Sequence, residues 1–115
     1  MKTQATTKLQ PILPALRAAA MTDHVPDVIT GCYISDLLSD VLAHAEPGTL
    51  WLTVQVHRNV VSVAAMKDVA GVLITCDRRP DPAIIAEAEE AGIALLATPL
   101  STYEAAGKLW EAGIR

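Results

Sequence analysis

Phenylalanine is absent from this chain, and two Trp and two Tyr are the only aromatic residues among its 115. A core must therefore be assembled from Ala, Val, Leu and Ile, although hydrophobic residues make up 51% of the sequence and mean hydropathy is +0.32. Small aliphatic side chains bury little area each, so a chain this short and this apolar is expected to hide part of its surface against a second copy, as a homodimer. Cysteine is scarce as well: Cys32 and Cys76 lie far apart with no CxxC pair. That excludes a zinc ribbon or a disulfide framework and fits a reduced, cytoplasmic setting. Nine Lys and Arg against thirteen Asp and Glu leave a net charge of −4 and a pI near 5.2. With Arg78 and Arg79 as the one adjacent cationic pair, no basic stripe exists for a nucleic-acid backbone, so no nucleic-acid partner is expected. No segment reaches the roughly 18 uninterrupted apolar residues of a membrane span. The opening run to Met21 faintly imitates a signal peptide, but Pro11, Pro14 and Arg17 interrupt it.

Motifs with fixed chemistry are missing too. There is no GxxxxGK[ST] for a nucleoside triphosphate, no GxGxxG for a dinucleotide, no HExxH and no GxSxG. No catalytic residue, metal site or cofactor is assigned on this basis.

What is present is a regular alternation of strands and helices. Met1–Lys8 is polar and without period, an expected tail. Leu9, Ile12, Leu13, Leu16 and Ala20 stand at near-helical spacing and predict a short helix ending near Met21, with Pro14 in its first turn. Residues 1–22 are thus read as tail and short helix, and residues 23–115 as a single α/β domain. Val28 to Ile34 predicts a first strand, weakened by Gly31. A helix is expected from Ser35, with Ser35 as N-cap and Asp36 beside its positive end. Leu50 to His57 alternates as a strand. Asn59 is expected to cap a third helix closed by Gly71 as a left-handed terminator. That helix is apolar around most of its circumference, which suits either a subunit contact or a central position inside the monomer. Val72–Thr75 reads as a buried parallel strand. Asp81 and Pro82 open a helix ended by Gly92, Ile93–Ala97 is the last strand, and Ser101 with Glu104 forms a capping box. Short connections of this kind imply right-handed crossovers and a three-layer α/β/α sandwich around a mainly parallel four- to five-stranded sheet.

Ligands of open parallel sheets sit where strands give way to helix amino ends. At those junctions stand Ser35, Asp36 and Ser39 in SDLLSD, then Gln55, His57 and Asn59 alternating at a strand end, and Thr75 after the buried strand. These are the candidate ligand-binding residues. Ordinary capping accounts for Ser35 and Asp36 equally well, and a structural role for His57 outweighs a catalytic one, because no nucleophile accompanies it.

With GCYISDLLSDVLAHA, LWLTVQVHRNVVSVA, GVLIT and the closing IALLAT and STYEAAGKLWEAGI in order, residues 27–115 resemble the DRTGG domain family. This domain is also found beside CBS domains and in some phosphotransacetylases, and it is similar to the amino-terminal domain of HPr kinase/phosphorylase. The resemblance implies a compact, dimerising α/β domain that is accessory or regulatory and has no catalysis of its own. Kinase chemistry does not carry over, because the P-loop domain that performs it is missing. Where the family name leads one to expect Thr-Gly-Gly, this chain has Thr75, Cys76 and Asp77, which adds side chains and a negative charge where two glycines would let a ligand approach. The expected function is a non-enzymatic regulatory or assembly domain that homodimerises and contacts a larger enzyme. The alternative is a sensor for a small-molecule ligand, a nucleotide or phosphorylated metabolite. A small enzyme using His57 with Asp36 or Asp40 ranks last.

Overall fold

A computed structural model describes residues 6–115. Strands β1 (Thr7–Lys8), β2 (Ala19–Ala20), β3 (Val28–Ile29), β4 (Cys32–Ile34), β5 (Leu50–Thr53), β6 (Gly71–Ile74) and β7 (Leu95–Ala97) alternate with helices α1 (Leu13–Leu16), α2 (Leu38–His44), α3 (Asn59–Lys67), α4 (Pro82–Ala91) and α5 (Thr102–Glu111). Five strands form one sheet in the order β2-β7-β6-β5-β4, parallel except for β2, which runs antiparallel to β7. β1 and β3 form a separate antiparallel ladder, pairing Thr7 with Ile29.

The pleat sorts the strand residues into two cores. Trp51, Val72, Ile74 and Leu95 face Val41 of α2, Val60, Val61, Val63 and Ala64 of α3, and Ala88 of α4. Leu50, Leu52, Leu73 and Leu96 face Leu16 of α1 and Ala105 and Leu109 of α5. The central strands β5 and β6 are buried at every position, as strands covered on both faces must be. The mainly parallel sheet between helical layers is the architecture that the strand-helix alternation predicts.

Several local expectations are corrected. Residues 1–5 of the expected tail lie outside the described residues, while Thr7–Lys8 is a strand. The expected helix from Leu9 to Met21 is one 3-10 turn at Gln10–Ile12 followed by the single turn α1, stopped by Arg17 at φ 50°. Beyond it Ala19–Ala20 is extended, because edge pairing with Leu96 and Ala97 outweighs the helix propensity of alanine. Leu9, Ile12 and Leu16 pack into the same core as Leu50 and Leu73, so this segment before residue 23 contributes to the α5 side of the fold. The expected first strand is split at Thr30–Gly31 between two ladders.

Helix α3 ends on Asp68 at φ 53°, not on Gly71. Gly71 instead opens β6, where a Cβ would stand 3.4 Å from Ala94 and from Pro26, closer than most packed carbons tolerate. Of the two positions open to α3, the structure takes the central one: α3 lies between α2 and α4, with Val60, Val61, Val63 and Ala64 buried. Met66 is its one large exposed apolar side chain.

Candidate functional site

The carboxyl ends of β4 and β5 meet at a turn that the sequence reading placed inside a helix. α2 begins only at Leu38, with Leu37 extended before it and no side-chain cap. Ser35 is therefore not its N-cap. Its hydroxyl accepts from the Leu37 N–H at 3.2 Å, a local side-chain turn, and its carbonyl accepts from Trp51 Nε1 at 2.9 Å. Asp36 does not face the dipole of α2 but reaches across to β5. Its Oδ1 accepts from the Thr53 hydroxyl and the Val54 N–H, both at 2.8 Å. Gln55 closes the same knot, donating from Nε2 to the Asp36 carbonyl at 3.2 Å and from its N–H to Thr53 Oγ1 at 3.1 Å. A carboxylate accepting two bonds at this length is a latch between adjacent strand ends.

Asn59 is the first residue of α3 rather than its cap. His57 supplies the local contact, its Nδ1 accepting from the Asn59 N–H at 3.2 Å, so this nitrogen is committed to the turn. Ser39 is exposed on the first turn of α2. Gln55 and His57 border a gap among Val60, Ile74, Ile84 and Leu95 that is too narrow for a water molecule. Thr75 is fully buried, and its hydroxyl lies 2.6 Å from that of Thr102. The structure thus brings Ser35, Asp36 and Gln55 together, leaves His57 and Asn59 next along the chain, and turns Thr75 inward.

The loop after β6 has the backbone turn of an anion cradle but not its free N–H groups. Cys76 and Asp77 both adopt left-handed backbone, φ 62° and 58°. Successive N–H groups in such a turn can converge on an anion. Here the Cys76 N–H donates to the Leu100 carbonyl at 2.8 Å and the Asp77 N–H to the Thr98 carbonyl at 2.9 Å, tying the ends of β6 and β7 together. Side chains other than glycine pay roughly 1–2 kcal/mol for this conformation, somewhat less for Asp. Glycine also gives back part of that gain by loosening the unfolded chain. Cys76→Gly with Asp77→Gly is accordingly expected to stabilise the fold by about 1–2 kcal/mol in total, read as a higher urea midpoint with unchanged slope.

Four features escaped the sequence reading. Asp40 on α2 accepts from the Tyr33 hydroxyl at 2.7 Å and lies 3.0 Å from His44 Nδ1. The Tyr33 bond, helped by Ser35 and His44, lowers the Asp40 pKa, and the same bond raises that of the Tyr33 phenol. Cys32, half-buried on β4, has its thiol pushed up to about 12 by burial, so it stays protonated and unreactive. An open cleft of about 520 Å³ at the amino end of the sheet is lined by His24, Asp27, Asp68 and Gly92. Another, of about 550 Å³, lies on the outer side of α5 between Tyr103 and Trp110. The i, i+7 spacing of these aromatics, opposite the Ala105 and Leu109 stripe, was the signal available for that one. Among the described residues no group of three or more His, Cys, Asp or Glu is placed to hold a metal ion, and no helix is long and apolar enough to cross a membrane.

The fold is an open α/β sheet whose carboxyl edge is closed by its own side chains and whose α5 carries two exposed aromatics. A family model for the DRTGG domain matches residues 20–112, and the chain belongs to the DRTGG domain family. The fold is also that of a crystal structure of the CBS and DRTGG domains of the regulatory region of Clostridium perfringens pyrophosphatase, complexed with the activator diadenosine tetraphosphate. The TM-score is 0.77 and the identity 18%, over 92% of this chain and 47% of that one. The chain therefore spans about half the length of that structure. No curated protein matches the sequence. The DRTGG domain is a regulatory domain rather than a catalytic one.

Proposed function

We propose that this chain is a non-enzymatic regulatory or assembly domain that homodimerises and contacts a partner enzyme in a cytoplasmic setting. The observation that carries the proposal is the contrast between its two surfaces. At the carboxyl edge, Asp36, Thr53 and Gln55 bond to one another and to backbone groups, and the Thr75 hydroxyl pairs with that of Thr102. On α5, Tyr103 and Trp110 are 89% and 59% exposed, with only Arg115 stacked on the Trp110 ring. Exposed aromatics on an ordered helix are the usual anchors of a protein interface. The proposal also suits two cysteines that form no disulfide and keeps the likeness to the amino-terminal domain of HPr kinase/phosphorylase, a likeness of accessory domains.

A second reading is a nucleotide or phosphorylated-metabolite sensor, favoured by the activator bound in the pyrophosphatase regulatory region. Ser35, Asp36, Ser39, Gln55, His57 and Asn59 would then exchange internal hydrogen bonds for the ligand, with Thr75 supporting them from beneath. Light scattering between 1 and about 100 μM tests the first reading, which expects a mass moving toward twice that of the 12.2 kDa chain. A thermal-shift screen with adenine nucleotides tests the second, which expects a rise in Tm of several degrees at saturating ligand. A mass of one chain throughout and a flat screen would defeat both.

A further inference from the structure

Helix α5 is set on the sheet by Ala105 and Leu109, and its opposite side carries Tyr103, Ala106, Gly107 and Trp110 at positions i, i+3, i+4 and i+7, one continuous strip. Gly107 lies in the middle of the helix, where glycine is the least favourable residue after proline. A Cβ added there would meet nothing within 4 Å. Nothing in the protomer therefore calls for a glycine at this point. What a bare helix backbone allows is close approach from outside, and the aromatics on either side make it the floor of the 550 Å³ cleft.

We infer that this strip is the contact with a second copy of the chain, α5 against α5, antiparallel, about a two-fold axis between Ala106 and Gly107. The inference deepens the homodimer reading above and rests on it. A two-fold contact needs a surface that is its own complement. In this arrangement the small residues face one another at the crossing, and Tyr103 of each copy meets Trp110 of the other at both ends. Charge agrees with shape. Glu104 and Lys108 share one flank of the helix, and the two-fold sets each copy's Glu104 beside the other's Lys108, with the helix dipoles opposed. Arg115 already stacks on Trp110, its guanidinium 4.1 Å from the ring centroid, which holds the indole in place before contact.

The size of the strip sets the strength. Aromatic side chains offer about 150–250 Å² each, so the two exposed ones supply roughly 300 Å² per copy, against about 800 Å² per partner in a standard interface. Flanking stems must supply the rest, which sets this contact among the weak, concentration-dependent interfaces.

Sedimentation equilibrium of the full chain tests this with Gly107→Gln, which fills the crossing, and Met66→Ser on α3 as a control. The expected result is at least a 30-fold weaker dimer for Gly107→Gln, with a Tm at dilute, monomeric concentration equal to or above that of the unaltered chain. Met66→Ser should leave the dimer unchanged. A dimer indifferent to Gly107→Gln but weakened by Met66→Ser would overturn the α5 interface and leave the dimer reading standing. A monomer throughout would overturn both.

Discussion

Trp51→Ala is expected to cost about 4 kcal/mol, enough to leave a marginal domain largely unfolded at physiological temperature. Trp51 is fully buried at the centre of β5, between Tyr33 of β4 and Val72 of β6. In a core without Phe it is the largest fully buried side chain, so no neighbour is big enough to collapse into the space it would leave. The indole also donates to the Ser35 carbonyl at 2.9 Å, which fixes the turn between β4 and α2. Trp51→Phe separates the two contributions. It keeps most of the volume, loses the hydrogen bond, and is expected to cost about 1–2 kcal/mol. Urea titration followed by far-UV circular dichroism reads both. The other tryptophan, Trp110, is 59% exposed in the single chain, so at dilute, monomeric concentration the blue-shifted part of the native fluorescence should vanish in either variant. Retention of a blue-shifted emission at that concentration would show that Trp51 is not the buried fluorophore.

Asp36→Ala is expected to destabilise by about 2–4 kcal/mol, and Asp36→Asn by less than about 1 kcal/mol, because a hydrogen bond to a charged group is worth about 1.5–3 kcal/mol and two are lost together. The Thr53 residue is fully buried, so removing its acceptor leaves its hydroxyl donor without a protein partner. Asparagine preserves an Oδ1 acceptor for both Thr53 and Val54 and loses only the charge. The same pair of variants bears on function. A latch residue lowers the midpoint of unfolding when removed. A residue serving only a ligand would leave that midpoint untouched and abolish a ligand-induced thermal shift.

The two readings of the carboxyl edge turn on this distinction. Residue types alone made Ser35, Asp36, Gln55 and Thr75 candidates, since hydroxyls, carboxylates and amides at strand ends are the groups that meet ligands in open sheets. The same groups are also the ones a sheet uses to close its own ends. Asp36 with Thr53, and Thr75 with Thr102, are separated by 17 and 27 residues in the chain. Local spacing carries no information about which of them will find each other. The left-handed backbone at Cys76 and Asp77 shows the converse case: the turn forms there although neither residue is a glycine, because two carbonyls of the β7–α5 junction accept the N–H groups.

Alternation of apolar runs with polar junctions was enough to define an α/β chain, to place β6 and β7 as buried strands and β5 as an alternating one, and to mark the Ser101–Glu104 capping box and the Gly92 terminator, because each depends on residues close together in the chain; that β5 is buried on both faces was not legible there. Tertiary structure decided what local order could not. It drew Ala19–Ala20 out of a helix and onto the sheet edge, turned Asp36 from a helix end to the neighbouring strand, and buried the apolar α3 between two helices. In doing so it left α5 bare. The physical reason is common to all four: burial and cross-strand hydrogen bonds join residues far apart in sequence, and their combined free energy exceeds the few tenths of a kcal/mol per residue by which local propensity prefers one conformation.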